Sequence, residues 1–236
     1  MKYRRYLVPH LLALITLAGC ASTKVATRQQ LVSGPLPRPA QIWVYDFAAT
    51  PTDVPADSAL AGQYVVSTAP PTAEQIATGR QVGAELAAQL VEQIRDMGMP
   101  AERAAMGTRP QLNDIVIRGY LLSVDEGSAV KRVAIGFGSG GSELRTAVEG
   151  YQMTAQGLRK LGSGTLDSGG SKTPGAALGA ATFIATANPA GLIVSSGMKA
   201  YGEASGSSKL EGRAKATAKE IADVLKPRFQ EQGWIR

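Results

Sequence analysis

The chain has a single cysteine, Cys20, and a single histidine, His10, in 236 residues. Both lie close to the N-terminus, so beyond residue 20 there is neither an imidazole nor a thiol. That excludes Ser-His-Asp and Cys-His nucleophilic catalysis, thiolate metal sites and histidine-zinc sites from the rest of the chain. Disulfide stapling is excluded as well, and stability must come from packing. Carboxylate, Ser-Lys or tyrosine chemistry would remain for an enzyme. The pairs Ser171-Lys172 and Ser208-Lys209 are adjacent, and sequence neighbours on a helix do not face one another. Asp46 closes a strand-like run with no second carboxylate beside it, and Asp125-Glu126 reads as a solvated strand end. Gly136, Gly138 and Gly141 spell G-x-G-x-x-G, but a dinucleotide site needs a helix after the glycines and this stretch continues as a strand. A hairpin tip is the expected structure there, with Lys131 and Arg132 on a solvated loop. The residues point to a non-enzyme with no cofactor and no metal site.

Cys20 has a different chemistry. Lys2, Arg4 and Arg5 form a positive segment, and Leu7 to Leu17 is an apolar run broken only by Pro9, His10 and Thr16. That run is too short to span a bilayer, which takes about 20 apolar residues. It ends in Leu17-Ala18-Gly19-Cys20, which resembles the lipobox of bacterial lipoproteins. The resemblance implies a signal peptide over 1–19, cleavage between Gly19 and Cys20, and acylation of Cys20. Three acyl chains, at about 0.8 kcal/mol per buried CH₂, would anchor the protein stably. Ala21, where an aspartate would favour inner-membrane retention, implies the outer membrane with the folded part facing the periplasm. Residues 20–40 read as a lipidated cysteine followed by a polar, flexible tether. Loss of Lys2, Arg4 and Arg5 takes the cationic count from 25 to 22 against 19 acidic residues, so the strongly basic balance is partly a property of the signal. No dense Lys/Arg patch with interleaved aromatics is present, which argues against a nucleic-acid partner.

Residues 41–236 are expected to form one α/β domain. Gln41 to Ala48 is a β-prone run of β-branched and aromatic residues. A loop with Pro51, Pro55, Pro70 and Pro71 follows. Thr72 and Gln75 have capping-box spacing, and Val82, Leu86, Leu90, Ile94 and Met97 make one apolar helical stripe that Gly98 is placed to end. Pro100 to Ala105 suits a short strand. Asp114 to Val124 is nearly all apolar, the pattern of a central strand covered on both faces. Glu143 to Gln156 alternates, with Glu143, Arg145 and Glu149 on one half-exposed face. A shorter strand is expected around Leu158 to Leu166. Ser208 and Glu211 are spaced to cap a last helix carrying Leu210, Ala214, Ile221 and Leu225, ended or kinked by Pro227. Trp234 and Ile235 are expected to pack back. The order predicts a mixed sheet of about four or five strands with a long helix after the first strand and a C-terminal helix on it.

Residues 173–198 carry no charged side chain. Gly175 and Gly179 form a GxxxG pair, and Gly191 continues the small-residue spacing that lets helix backbones approach closely. Three readings stay open for this stretch: a membrane or oligomer contact through Gly175, Gly179 and Gly191, a buried small-residue segment, or a Gly/Ala loop.

The lipobox, the strand QIWVYDF, the long helix ending in a glycine, DIVIRGYLLSVDEGSAVKR and GFGSGGSELRTAVEGYQ together resemble the bacterial lipoprotein family catalogued as domain of unknown function 4410. The resemblance covers about residues 40 to 232 and is most specific between Ile117 and Tyr151. It implies no functional residue beyond Cys20. The ordering of the first strand, the helix and Asp114-Ile-Val-Ile-Arg-Gly119 is similar to the periplasmic domains of the curli-secretion lipoprotein and the penicillin-binding-protein activators. The small-residue stretch is similar to those of surface-exclusion lipoproteins. These likenesses imply protein partners or ring oligomers. The expected function is an outer-membrane lipoprotein whose non-catalytic periplasmic domain binds an envelope protein. The alternative is an oligomeric, membrane-associated or secretion-type assembly built on residues 173–198.

Overall fold

A computed structural model of the chain describes residues 23–58, 72–105, 107–125, 143–169 and 204–236. Cys20, the glycines at 136–141 and the stretch 173–198 lie outside the described residues.

The strands are β1 (Thr23–Gln30), β2 (Ile42–Val44), β3 (Ala101–Arg103), β4 (Ile115–Asp125), β5 (Glu143–Thr154) and β6 (Gly157–Gly169); the helices are α1 (Ala73–Asp96) and α2 (Ala204–Glu231). They form one mixed sheet in the order β1-β6-β5-β4-β2-β3. β2 runs parallel to both β3 and β4, whereas β4, β5, β6 and β1 are successively antiparallel. Both helices cover the same face of the sheet. Ile42, Val44, Ile117, Leu121 and Leu144 from the strands meet Leu86, Leu90 and Ile94 of α1 and Leu210, Ala214 and Ile221 of α2 in one buried core. The fold is the expected mixed α/β architecture.

Helix α1 begins and ends where its residues dictate. Thr72 Oγ1 accepts from Gln75 N at 3.2 Å and Gln75 Oε1 accepts from Thr72 N at 2.7 Å, closing the capping box. Gly98 takes φ +84°, donating to Arg95 O, while Met99 donates to Ile94 O. These two bonds make the left-handed helix end in which glycine is strongly favoured. Phe47 then fixes how close α1 lies to the sheet. A Cβ on Gly83 would sit 2.1 Å from the Phe47 carbonyl oxygen, and one on Gly119 would sit 2.0 Å from its ring. Both glycines are therefore steric requirements of the helix–sheet contact.

Three features depart from the sequence pattern. Thr23–Gln30, expected in a flexible tether, pairs with β6 from Thr23↔Ser168 to Gln30↔Gly162. It is a polar edge strand held by backbone hydrogen bonds and so has no hydrophobic period to betray it. It brings the strand count to six. Helix α2 starts at Ala204, so Ser208 and Glu211 lie inside it instead of capping it. It also continues through Pro227 to Glu231, although the ring there removes a hydrogen bond to the carbonyl of Asp223. Trp234 packs back as expected, with its ring 5.5 Å from that of Phe229 and its Nε1 donating to Leu36 O at 3.2 Å.

Candidate functional site

The face of the sheet away from the helices holds most of the buried polar chemistry. Strand alternation puts Arg118 and Tyr120 of β4 on this face while Ile117 and Leu121 enter the core. The register Arg118↔Glu149 and Val116↔Tyr151 sets Glu149 and Tyr151 of β5 beside them, and Tyr151↔Lys160 adds Lys160 from β6. The segment after β2 then crosses over the group. Ala48 and Val54 pack on Tyr120 and Ala147. The turn Pro51–Asp53 is tied to α1 by Arg80 Nη2, which donates to Asp53 Oδ1 at 2.7 Å. Burial raises the Asp53 carboxyl, but the hydrogen bond and charge of Arg80 and the Thr50 donors outweigh it and hold the pKa below the usual carboxylate value.

This crossing delivers Ser58 to Glu149. The acid, 2 % exposed, is surrounded by donors. Its Oε2 accepts from Ser58 Oγ at 2.9 Å, from Tyr120 Oη at 2.9 Å and from Tyr151 Oη at 2.7 Å. Its Oε1 accepts from Lys160 Nζ at 2.5 Å. Burial pushes the Glu149 carboxyl up, but Lys160 and the two tyrosine hydroxyls more than offset it, so it stays ionised below the ordinary glutamate range. Burial and the neighbouring carboxylate push both tyrosine hydroxyls well above the usual phenol value. The cluster therefore contains one anion, one cation and two neutral phenols.

Arg118 stands next to it. Its guanidinium lies 5.2 Å from the Tyr151 ring centroid and 5.8 Å from that of Tyr45, and Nη1 donates to Asp57 Oδ1 at 2.7 Å. Burial works against its charge, and Asp57 outweighs that to raise the pKa. The Nε of Arg118 is buried with no hydrogen-bond partner among the described residues. Toward the rim Tyr45 and Trp43 are half-buried and Asp57 is exposed. The result is a ledge of Trp43, Tyr45, Arg118 and Asp57 over a closed Glu149 network. At its end Asp114 accepts from Trp43 Nε1 at 3.0 Å, from Gln41 N at 3.1 Å and from Gln111 N at 2.8 Å, clamping β2 to the entry of β4.

The sequence pattern located little of this. Asp46 pairs with Arg103 at the surface, Nη2 to Oδ2 at 2.7 Å. Glu149 was expected on a half-exposed face and is buried, because the 48–58 crossing covers it. Arg145, on the same face, pairs with Asp167 at 2.8 Å. Ser58, Tyr120, Tyr151 and Lys160 gave no spacing signal, since register between strands assembles them. The nearest sequence cue is Glu149 and Tyr151 two apart on one strand. Ser208-Lys209 falls within α2, whereas Gly19, Cys20, Gly175, Gly179, Gly191, Lys131, Arg132 and Ser171-Lys172 lie outside the described residues. Among the described residues no three His, Cys, Asp or Glu side chains gather as a metal site would need, and no helix is long and apolar enough to cross a membrane.

No curated protein matches the chain. Solved structures similar to it include two of the PelC dodecamer from Paraburkholderia phytofirmans, one of them a point variant. The variant gives a TM-score of 0.33 at 16% identity, covering 69% of this chain and 95% of PelC. The other gives 0.31 at 16% identity, covering 70% and 98%. The family described as a domain of unknown function, DUF4410, matches residues 42–187. That span runs from β2 through the Glu149 network and past β6, more than half of the chain, and the protein belongs to the DUF4410 family.

Proposed function

We propose that the protein is an outer-membrane lipoprotein, anchored through acylated Cys20, whose periplasmic domain binds an envelope protein and performs no catalysis. The binding surface is the ledge of Trp43, Tyr45, Arg118 and Asp57. One observation carries this reading: the buried acid beneath the ledge is fully engaged. With Ser58, Tyr120, Tyr151 and Lys160 all donating to it, Glu149 is held as a buried anion with no proton to give. A general acid needs the opposite, a raised pKa and an open side. The network instead holds the ledge rigid. Trp43 and Tyr45 are half-buried at the rim, with Arg118 buried behind them, and Trp and Tyr are among the side chains that dominate protein–protein binding energy when a partner desolvates them. The lipobox supports the anchor, and the 22 cationic against 19 acidic residues beyond the signal leave no electrostatic case for nucleic acid.

A photoreactive residue in place of Tyr45, in cells fed an alkynyl fatty acid, tests both halves. The expected outcome is a cross-link to a different envelope protein, with lipid label on the chain that Cys20→Ser removes. Cross-links only between copies of this chain would replace the partner reading with the oligomeric assembly. A labelled chain with no cross-link from position 45, but with cross-links from the helix-covered side, would move the surface elsewhere.

A further inference from the structure

Among the described residues the other face of the sheet is incompletely filled. Between α2 and the strands β1, β6, β5 and β4 lies a cleft of about 200 Å³. Ile221, Val224, Leu225 and Phe229 of α2 form one wall, and Ile117, Val148, Leu161 and Leu166 form the other. Protein interiors hold few voids larger than a water molecule, and these are side chains that a helix–sheet contact would ordinarily bury. Val148, Leu161, Val224 and Leu225 are only half-buried.

Small residues open the space. Gly150 and Gly164 line the sheet side, whereas a Cβ on Gly162 would lie 2.6 Å from the Gln29 carbonyl oxygen and so that glycine opens no space. A Cβ on Gly150 would meet no atom within 4 Å, although Ile117 beside it in register belongs to the core. Gly150 also lies outside the positive-φ region, so its backbone would accept a side chain. Opposite, Pro227 removes a hydrogen bond from the stretch of α2 that walls the cleft.

The rim is cationic. Arg28 and Arg228 both line the cleft. Arg228 pairs with Glu231, whereas Arg28 is exposed and forms no ion pair among the described residues. The volume exceeds the roughly 150 Å³ of an apolar cavity that takes up benzene, and falls below the ~300 Å³ where drug-sized pockets begin. It has room for one hydrocarbon chain and not for two.

We propose that this cleft binds a free single-chain anionic lipid, the acyl chain lying between α2 and Gly150 and the head meeting Arg28. The proposal is independent of the ledge on the opposite face. The test uses the full chain with Cys20→Ser, titrated with cis-parinaric acid, a fatty acid that fluoresces in apolar surroundings. Saturable one-to-one binding is expected, displaced by laurate and far less by a cationic amphiphile of equal tail length. Gly150→Leu should abolish binding. Val224→Phe, which fills the cleft from the helix side, should do the same, with both variants still unfolding cooperatively. Arg28→Gln should weaken laurate binding about fivefold, the scale of one partly exposed charge contact. No saturable binding, equal displacement by the cationic amphiphile, or binding undiminished in both cleft-filling variants would overturn the proposal. So would binding by the Cys20→Ser chain that the membrane-extracted chain lacks, since the cleft would then hold the protein's own anchor.

Discussion

The two faces of the sheet solve burial in opposite ways. Under the helices the strands present Ile42, Val44, Ile117, Leu121 and Leu144, and cohesion is apolar contact with α1 and α2. On the other face Tyr120, Glu149 and Tyr151 are as deeply buried, yet among the described residues they are covered by the segment 48–58, which holds no more than the single 3-10 turn Pro51–Asp53. A loop cannot supply the apolar area of a helix, and here a saturated polar network takes its place. The apolar face tolerates a cleft, because a missing methyl group loses only its own contacts. On the polar face a gap costs more, because each unpaired buried donor, as Arg118 Nε is among the described residues, carries its full desolvation penalty.

The largest break in that contrast is Glu149→Ala. It strips the acceptor from Ser58, Tyr120 and Tyr151 and the counter-charge from Lys160. The expected loss is about 3–5 kcal/mol, the range for removing one member of a buried pair, read as a shift of the urea midpoint. A loss below ~1 kcal/mol would mean that water reaches these groups and the network is not closed. On the helix face the strongest single break is steric. Gly83→Ala would place a methyl 2.1 Å from the Phe47 backbone oxygen, and overpacking of this kind costs about 1–3 kcal/mol. Gly→Ala in an open helix gains up to ~1 kcal/mol instead. Gly212, whose Cβ would meet nothing within 4 Å in α2, is the matching control. The two substitutions should move the thermal midpoint in opposite directions.

Acid should separate the faces as well. Burial raises the Glu149 carboxyl, but its donors lower it by more, so its folded pKa lies below that of an ordinary glutamate. A depressed carboxylate contributes stability that is present above the unfolded pKa and lost as pH falls through the folded one. Stability should therefore decline from about pH 5 downward, and Glu149→Gln should flatten part of that decline. A variant whose urea midpoint falls as steeply as that of the native chain would assign the acid sensitivity to other carboxylates, Asp53 among them, since it too is held below its ordinary value.

What could be read in advance follows the same division. The helix face was legible because hydrophobic periodicity is local. The stripe Val82-Leu86-Leu90-Ile94, the Thr72–Gln75 box and the Gly98 stop all stand in the structure as their spacing implies. The near-continuous apolar run of β4 did mark an interior strand. The other face was not legible, because its network joins residues 58, 120, 149, 151 and 160 through register and a loop crossing. No window of sequence contains that arrangement. β1 was missed for a related reason: an edge strand held by backbone bonds needs no side-chain period.

The smallest effect tests the contrast on a single functional group. Ser58 and Thr217 are both buried hydroxyls, one on each face. Ser58 donates to Glu149 at 2.9 Å, while Thr217 Oγ1, in α2, has no hydrogen-bond partner among the described residues. Removing a satisfied hydroxyl loses a hydrogen bond to a charge, so Ser58→Ala should cost about 1.5 kcal/mol. Replacing an unsatisfied one with a methyl of nearly the same shape removes a desolvation penalty, so Thr217→Val should gain about 1 kcal/mol. Valine and threonine have similar helix propensities, so the backbone does not decide the sign. Opposite shifts of the thermal midpoint would show that the helix face is dry and the other face is held by polar bonds. Destabilisation by Thr217→Val would give that hydroxyl a water partner instead, and the helix-covered side would then be the wetter of the two.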